Sequence, residues 1–397
     1  MRQRSATLLL SGLLFLAVYL CGYFLAADKP LWLDEHYSLT RSIIPVPYSQ
    51  IFQGRLEWEG NNSPFFYASQ KLLCGLISYD PAVLVPFTVP GGMVFYDDPV
   101  SNADLRLIAI FFMALAPAVL FYYFSRRYSW AWGSFAALLC MSSWLFWWYG
   151  LEARPYIHVL ALTAIQGVIF LEIFRLKVPD GRLWAWFGAV NILLAFTVTT
   201  SVLQVLVMGA VCAALFRRAL SLRNAFFVFI LPAAITLYYY AIGLKLKGKF
   251  WFMIPLYKYY LANVPWDVLL IMGAFFVYAG LSWVMAEKGR CWLGREEIRR
   301  AAPAAFLMIA LSLAYFILLA FLKTADALPS EGGSPFAHRY LISLVPLGAL
   351  AVTVFSRTVF ERLQGLGARA GFILFLAGIL AWRCVHCYLY VHKWIGL

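Results

Sequence analysis

The chain has 397 residues, of which 63% are hydrophobic and 13% charged, and its mean hydropathy is +0.76. Soluble domains are typically about half apolar, so this composition excludes an ordinary soluble protein. The formal net charge of +13 does not indicate nucleic-acid binding, because the basic residues collect in short loops between apolar runs.

Apolar runs of about 20 residues recur along the chain, and each is long enough to cross the hydrocarbon core of a bilayer. Eleven spans are predicted, at 7–26, 105–124, 130–149, 156–174, 184–199, 201–216, 225–243, 266–286, 302–322, 340–356 and 371–390. The stretch 183–216 is too long for one crossing, and its polar middle at 197–201 predicts a hairpin turn. The fold class is therefore predicted to be an all-α polytopic membrane protein.

The basic loops set the predicted orientation. They lie at 126–127, 175–182, 217–223, 288–300 and 357–369. With the N-terminus inside, every one of them falls on the cytoplasmic side, as the positive-inside rule expects. The protein is thus predicted to be a multi-pass protein of the inner (plasma) membrane. Its first span is predicted to be a retained anchor rather than a cleaved signal peptide, since its apolar run is long.

The longest connection is the outer loop at 27–104, between the first and second spans of a single domain covering 1–397. It carries nine of the nineteen acidic residues. Within it, 64–77 begins with proline and has an apolar body too short to span, so an interfacial helix is predicted. A second such helix is predicted within 38–52, and an irregular loop at 80–98.

Charged residues cluster in the outer loops. Asp34 and Glu35 follow the first span, and Glu152 and Arg154 join the third and fourth. A third cluster comprises His338, Arg339 and Tyr340, and a fourth segment interleaves aromatic residues with Lys245, Lys247, Lys249 and Lys258. Carboxylates accept protons and guanidinium groups bind phosphate in a bidentate fork, so the clusters predict acid–base chemistry on a phosphorylated substrate.

Each cluster also has a purely structural interpretation. The acids at 34–35 would favour a helix N-terminus, and Glu152 and Arg154 could pair to fix a turn. Arg339 and Tyr340 could be interfacial anchors, and the lysines could contact anionic headgroups. All four clusters lie on one predicted side of spans nearly free of ionisable residues, which favours the functional interpretation.

Five segments, in chain order, resemble motifs of the GT-C glycosyltransferases, in particular the branch with protein O-mannosyltransferases and lipid A aminoarabinosyltransferases. They are Trp-Leu-Asp-Glu at 32–35, Ser-Pro-Phe-Phe-Tyr at 63–67, Ala-Asp-Leu-Arg-Leu at 103–107, Tyr-Gly-Leu-Glu-Ala-Arg-Pro-Tyr at 149–156 and His-Arg-Tyr-Leu at 338–341. One departure is Ser63, since relatives often have a basic residue near this position, before the proline. The resemblance covers most of the chain and implies a GT-C-like bundle of about 11 transmembrane helices.

The resemblance implies transfer of a sugar from a polyprenyl-phosphate donor to a hydroxyl of a lipid, glycan or protein acceptor at the outer face, with inversion. Catalytic roles are expected for Asp34, the base, and for Glu35 and Glu152. Lipid-phosphate binding is expected of Arg154, His338, Arg339, Lys245, Lys247, Lys249 and Lys258. Acceptor or sugar binding is expected of Glu59, Tyr67, Tyr156 and Tyr340.

Three alternatives remain open at the level of sequence. No cofactor or metal is expected, but the three carboxylates could instead hold a divalent ion, as in oligosaccharyltransferases. The protein could be a transporter or lipid flippase, although such proteins usually place ionisable residues near the bilayer midplane. It could also be another lipid-linked-glycan transferase or ligase.

Overall fold

The computed structural model describes residues 2–56, 63–80, 85–88, 94–97, 102–176, 180–215, 220–247, 273, 303–314 and 341–395. The helices before the second span are α1 Arg2–Asp28, α2 Leu33–Tyr37, α3 Tyr48–Phe52 and α4 Pro64–Leu76. Those that follow are α5 Leu107–Arg127, α6 Trp130–Met141, α7 Trp144–Gly150, α8 Tyr156–Arg175, α9 Gly181–Ala195, α10 Ser201–Leu215, α11 Leu222–Ala225, α12 Leu231–Lys247, α13 Pro303–Ala314, α14 Leu344–Arg362 and α15 Leu366–Ile395.

Six helical segments of the described chain are long and apolar enough to cross a membrane, and shorter apolar helices accompany them. Helices occupy ten of the eleven predicted spans, whereas 266–286 lies outside the described residues apart from Gly273. The predicted turn after the fifth span is confirmed, because α9 ends at Ala195 and α10 begins at Ser201. The span predicted at 130–149 is instead two helices, since the chain leaves helical geometry at Ser143.

Helix α5 is at the centre of the bundle and packs against α1, α6 and α8. Its close approach to α6 depends on Gly133, where an added Cβ would overlap the side chain of Ser125 and the carbonyl of Phe121. Small residues let membrane helices approach in this way. Helices α1 and α15, by contrast, expose many leucine and phenylalanine side chains, as expected of surfaces that face lipid.

A buried polar network joins three helices of the bundle and reaches the backbone of Val228 in the π-helical segment Phe226–Ile230. The Gln166 side-chain nitrogen donates to Asn191 Oδ1 at 2.6 Å, and Asn191 Nδ2 donates to the Val228 carbonyl at 2.7 Å. Gln204 Nε2 donates to Thr163 Oγ1 at 2.9 Å and also to Gln166. The network is uncharged, so it ties α8, α9 and α10 together without burying an ion.

The outer loop contains a small antiparallel sheet of order β1-β3-β2, formed by β1 Leu31–Trp32, β2 Val85–Thr88 and β3 Val94–Asp97. The prediction of an irregular loop at 80–98 was wrong, because short valine- and aromatic-containing segments on either side of the proline and glycine residues pair as strands. Helix α4 confirms the helix predicted at 64–77. Segment 38–52 divides into a π-helical turn, Ser38–Ile43, and α3.

The outer loop has its own apolar core and is attached to the bundle by hydrogen bonds. The core includes Leu31, Leu39, Ile43, Ile51, Phe66, Tyr67 and Leu105. The Phe65 N–H donates to the Phe196 carbonyl at 2.7 Å, and Tyr239 Oη donates to the Phe52 carbonyl at 2.9 Å. These bonds join the loop to the turn after α9 and to α12. They hold the loop against the end of the bundle where the charged residues meet.

Candidate active site

Three segments of the chain meet at one end of the bundle. They are 29–38 after α1, 104–106 before α5, and 151–155 between α7 and α8, called here the 151–155 loop. Together they contribute a cluster of three cations and three carboxylates: Lys29, Asp34, Glu35, Arg106, Glu152 and Arg154. The sequence singled out four of these residues, Asp34, Glu35, Glu152 and Arg154. The structure brings the two pairs together although they are more than a hundred positions apart in the chain.

Glu35 is the fully buried centre of this cluster. Arg106 binds it in a bidentate fork, with Nε to Oε1 at 3.0 Å and Nη2 to Oε2 at 2.9 Å. The Ala153 N–H donates to Oε1 at 2.7 Å, and the Trp32 N–H donates to Oε2 at 3.3 Å. Both carboxylate oxygens therefore have partners from different segments, which makes Glu35 the residue that joins the three segments.

Arg106 also closes the end of α1. Its Nη1 donates to the carbonyls of Ala26, at 2.9 Å, and Lys29, and its Nη2 donates to the Pro30 carbonyl at 3.0 Å. The last carbonyls of a helix have no partner within it and need donors when they are buried. The helix ends before Pro30, which cannot continue it. The Arg106 guanidinium supplies the donors that these carbonyls need and, in doing so, holds segment 29–38 beside α5.

Lys29 and Glu152 form a second buried ion pair. Lys29 Nζ lies 3.0 Å from Glu152 Oε1 and donates to the Trp148 carbonyl at 3.1 Å. The ammonium also lies 4.8 Å from the centroid of a Trp148 ring, within the range of a cation–π interaction. Glu152 Oε2 is buried and has no hydrogen-bond partner among the described residues.

Asp34 differs from the other two carboxylates because its side chain is 33% exposed, against 0% for Glu35 and 3% for Glu152. Arg154 Nη2 lies 3.6 Å from Asp34 Oδ2, and Arg154 Nη1 donates to the Asp34 carbonyl at 3.2 Å and to Ser38 Oγ. Asp34 is therefore the solvent-accessible carboxylate of the cluster, and Arg154 lies directly beside it.

Burial and charge act differently on the two buried acids. Burial opposes ionisation of Glu35, but Arg106, together with the charge of Lys29 and the N–H of Ala153, outweighs it and holds the pKa of Glu35 below its ordinary value. Burial raises the pKa of Glu152, and Lys29 offsets this only in part. Burial likewise lowers the pKa of Lys29. Glu35 is thus firmly anionic, whereas the Lys29–Glu152 pair is held against a large desolvation penalty.

Two of the three tyrosines expected to bind sugar or acceptor lie within the described residues, and they occupy different surroundings. Tyr67 is buried in the outer-loop core, with its ring 5.1 Å from that of Phe66. Tyr156 begins α8 and packs edge-on against Tyr149 at 5.8 Å. Tyr156 follows Arg154 by two positions in the sequence, and the substrate roles of both tyrosines remain predictions.

Eight predicted site residues have side chains outside the part of the chain that the structure describes. Glu59, Lys249, Lys258, His338, Arg339 and Tyr340 lie outside the described residues. Lys245 and Lys247 belong to the last turn of α12, where the structure describes the backbone but not their side chains. Their predicted roles in binding the lipid phosphate therefore remain predictions.

Sequence reasoning did not single out Lys29, Ser38 or Arg106 as site residues. A signal existed for Lys29, a lysine immediately after a long apolar helix and directly before proline. Arg106 lies in one of the resembling motifs, but nothing local to it indicates that Glu35 is its partner. Within the chain that the structure describes, no three His, Cys, Asp or Glu side chains are placed to share a metal ion.

No protein-family model and no curated protein matches this sequence. Among solved structures, the chain is similar to ArnT from Cupriavidus metallidurans bound to undecaprenyl phosphate, with 14% identity and a TM-score of 0.52. That alignment covers 92% of this chain and 63% of that chain. The apo structure of the same protein gives 13% identity and a TM-score of 0.51, and it covers 96% of this chain and 72% of that one.

These likenesses define the class of fold. The chain has a polytopic membrane fold of the GT-C type, as the sequence motifs predicted. The solved structures described here that share this fold are those of ArnT, and this chain spans about two thirds of the ArnT length.

Proposed function

We propose that the protein is a membrane glycosyltransferase that moves a sugar from a polyprenyl phosphate to an acceptor hydroxyl on a lipid, glycan or protein. The observation that carries the proposal is the charged cluster at one end of a GT-C-like bundle. In that cluster one carboxylate, Asp34, is accessible, while Glu35 and Glu152 are buried beside their own cations. The undecaprenyl phosphate bound in the ArnT structure supports a polyprenyl-phosphate donor.

The proposed chemistry is a single displacement with inversion. The acceptor oxygen forms a bond to the anomeric carbon as the bond from that carbon to the phosphate oxygen breaks. Asp34 takes the acceptor proton, and the polyprenyl phosphate leaves with the bonding electrons. A carboxylate is a weak base toward an alcohol, so the proton moves late, as carbon–oxygen bonding advances. Glu35 has both oxygens engaged, so its expected contribution is to position Asp34.

The leaving phosphate needs cations in the transition state. Arg154 is the described cation beside Asp34, but its charge is already offset by that carboxylate at 3.6 Å. The whole cluster is balanced, with three cations and three carboxylates. Additional positive charge must therefore come from elsewhere in the chain, and we assign this role to Arg339, His338 and the lysines at 245–258. The active site is proposed to face the outer side of the inner membrane.

The test is release of polyprenyl phosphate by purified protein offered a panel of polyprenyl-phosphate sugars and acceptors. Replacing Asp34 with Asn should lower turnover by about 10²–10⁴-fold, the contribution of a general base. Binding of polyprenyl phosphate, followed as a rise in melting temperature, should change little. Asp28→Asn, an exposed acid outside the cluster, is the matched control and should retain activity.

Two results would contradict the proposal. Substantial turnover by Asp34→Asn would remove Asp34 as the base while leaving the enzyme class intact. Absence of turnover with every donor, together with lipid movement in reconstituted vesicles, would favour the transporter or flippase alternative.

A further inference from the structure

Three successive residues of the 151–155 loop are each tied to segment 29–38. Glu152 pairs with Lys29, the Ala153 N–H donates to Glu35, and Arg154 contacts Asp34. The position of Arg154 beside the accessible carboxylate therefore depends on how the whole loop is held.

Lys29 is held by contacts of both its backbone and its side chain. Its carbonyl accepts a hydrogen bond from Arg106, which fixes the backbone against α5. Its ammonium is buried and reaches Glu152 Oε1, the Trp148 carbonyl and the Trp148 ring. A side chain with three such partners on α7 and the 151–155 loop restrains both relative to the end of α1.

Removal of the Lys29 ammonium would leave the buried Glu152 carboxylate without a cation. Its Oε1 would lose the only cation within salt-bridge distance in the described structure, and Oε2 has no hydrogen-bond partner among the described residues. A buried carboxylate without a partner either takes a proton or moves toward water, because desolvation of the unpaired charge is too costly. Because only Ala153 separates Glu152 from Arg154, movement of Glu152 would shift the loop backbone and strain the remaining contacts of Ala153 with Glu35 and of Arg154 with Asp34.

We propose that Lys29 is a positioning residue of the transfer reaction, which holds the 151–155 loop so that Arg154 stays beside Asp34. This role rests on the proposed glycosyltransferase function. Lys29 touches no reacting atom in this scheme and acts through Glu152 and the loop.

The kinetic test compares Lys29→Gln with Lys29→Arg. The neutral variant should lower kcat by at least about tenfold with a smaller change in KM for the donor, because a misplaced group lowers transition-state stabilisation more than ground-state binding. Lys29→Arg keeps the charge and can engage Glu152, so it should recover most of kcat. Glu172→Gln, which breaks an ion pair with Arg127 at the far end of α8, is the control and should not lower kcat.

A second readout needs no turnover. Hydrogen–deuterium exchange in the 151–155 loop should rise in Lys29→Gln, while exchange in α5 and α8 stays as in the wild type, and Lys29→Arg should restore protection. If Lys29→Gln does not fold, Glu152→Gln tests the same link, since the amide still accepts from Lys29 but loses the charge attraction. It should increase exchange in the same loop.

The outcomes separate the two proposals. A wild type that transfers no sugar overturns the proposed function, yet the exchange pattern still reports whether Lys29 holds the loop. Unchanged kcat and unchanged loop exchange in folded Lys29→Gln overturn the positioning role. Exchange that rises equally throughout the bundle also overturns it, because that result describes a loss of global stability.

Discussion

Asp34 and Glu35 are adjacent carboxylates with opposite environments. Residues on a helix are rotated by about 100° from one to the next, and α2 places Glu35 inward against Arg106 while Asp34 lies at the surface. The two acids are therefore not interchangeable. Asp34 is available for chemistry, and Glu35 is committed to joining three segments of the chain.

Glu35→Gln should destabilise the protein strongly, because it leaves the buried Arg106 charge opposite a neutral amide. Breaking one side of a buried ion pair typically costs about 3–5 kcal/mol. Thermal unfolding of the detergent-solubilised protein, followed by intrinsic fluorescence, measures the loss. A melting temperature equal to that of the wild type would show that the Glu35–Arg106 pair does not hold the segments together.

The same pair makes stability depend on pH in a defined direction. The pKa of Glu35 is held below its ordinary value, so its carboxylate stabilises the fold above that value, and the stabilisation is lost as pH falls toward the folded-state pKa. The melting temperature of the wild type should therefore fall more steeply than that of Glu35→Gln as the pH drops below about 4.5. Parallel curves would assign the acid sensitivity to other groups, such as Glu172.

Local residue type explains which site residues could be predicted. Asp34, Glu35, Glu152 and Arg154 stand out because charges are rare in this chain. Arg106 and Lys29 are equally central, but their partners lie 71 and 123 positions away. A pairing of that kind is a property of the tertiary fold, and no local pattern encodes it.

At the scale of elements, the length of an apolar run predicts a membrane-spanning helix well, whereas the residues of turns predict breaks and strands less well. The α9–α10 hairpin was predictable because no single helix of that length fits a bilayer and its middle is polar. The break between α6 and α7 was not, since 130–149 is apolar enough to read as one span. Strands β2 and β3 were missed because each has only four residues, too few for their alternation to be recognised among prolines and glycines.

The polar network that joins α8, α9 and α10 also makes a prediction at this scale. Asn191→Leu removes the acceptor for Gln166 Nε2 and the donor to the Val228 carbonyl. Hydrogen bonds between membrane helices average about 0.6 kcal/mol and reach about 1.7 kcal/mol, so the melting temperature should fall by a few degrees. Leu193→Ala, at a partly exposed position of the same helix, is the control. An equal fall in its melting temperature would show that the network does not stabilise the bundle beyond ordinary packing.

At the scale of the whole molecule, charge is divided between the two ends of the bundle. The end opposite the cluster carries the arginines in the last turns of α5, α8 and α14 and at the start of α15. Arg127 Nε lies 2.9 Å from Glu172, and the Arg357 guanidinium lies 3.6 Å from the centroid of the Tyr128 ring. These contacts bring the arginines of α5, α8 and α14 to a common end, which the sequence predicted from loop alternation alone.

This division predicts the orientation of the protein in the membrane. Arginines in short loops are retained on the cytoplasmic side during insertion, so the end with Arg126 should face the cytoplasm and the charged cluster should face outward. Single cysteines at two exposed positions, Asp28→Cys and Arg126→Cys, in a cysteine-free background would report each end.

A membrane-impermeant thiol reagent applied to spheroplasts should label Asp28→Cys and leave Arg126→Cys unlabelled until the membrane is opened. Labelling of both after permeabilisation is the control for reactivity. The reverse pattern would place the cluster in the cytoplasm, where an outward-facing transfer reaction is impossible, although the bundle and its ion pairs would be unchanged. Orientation and chemistry are therefore separable, and the two cysteines test the assumption on which the proposed outer-face reaction depends.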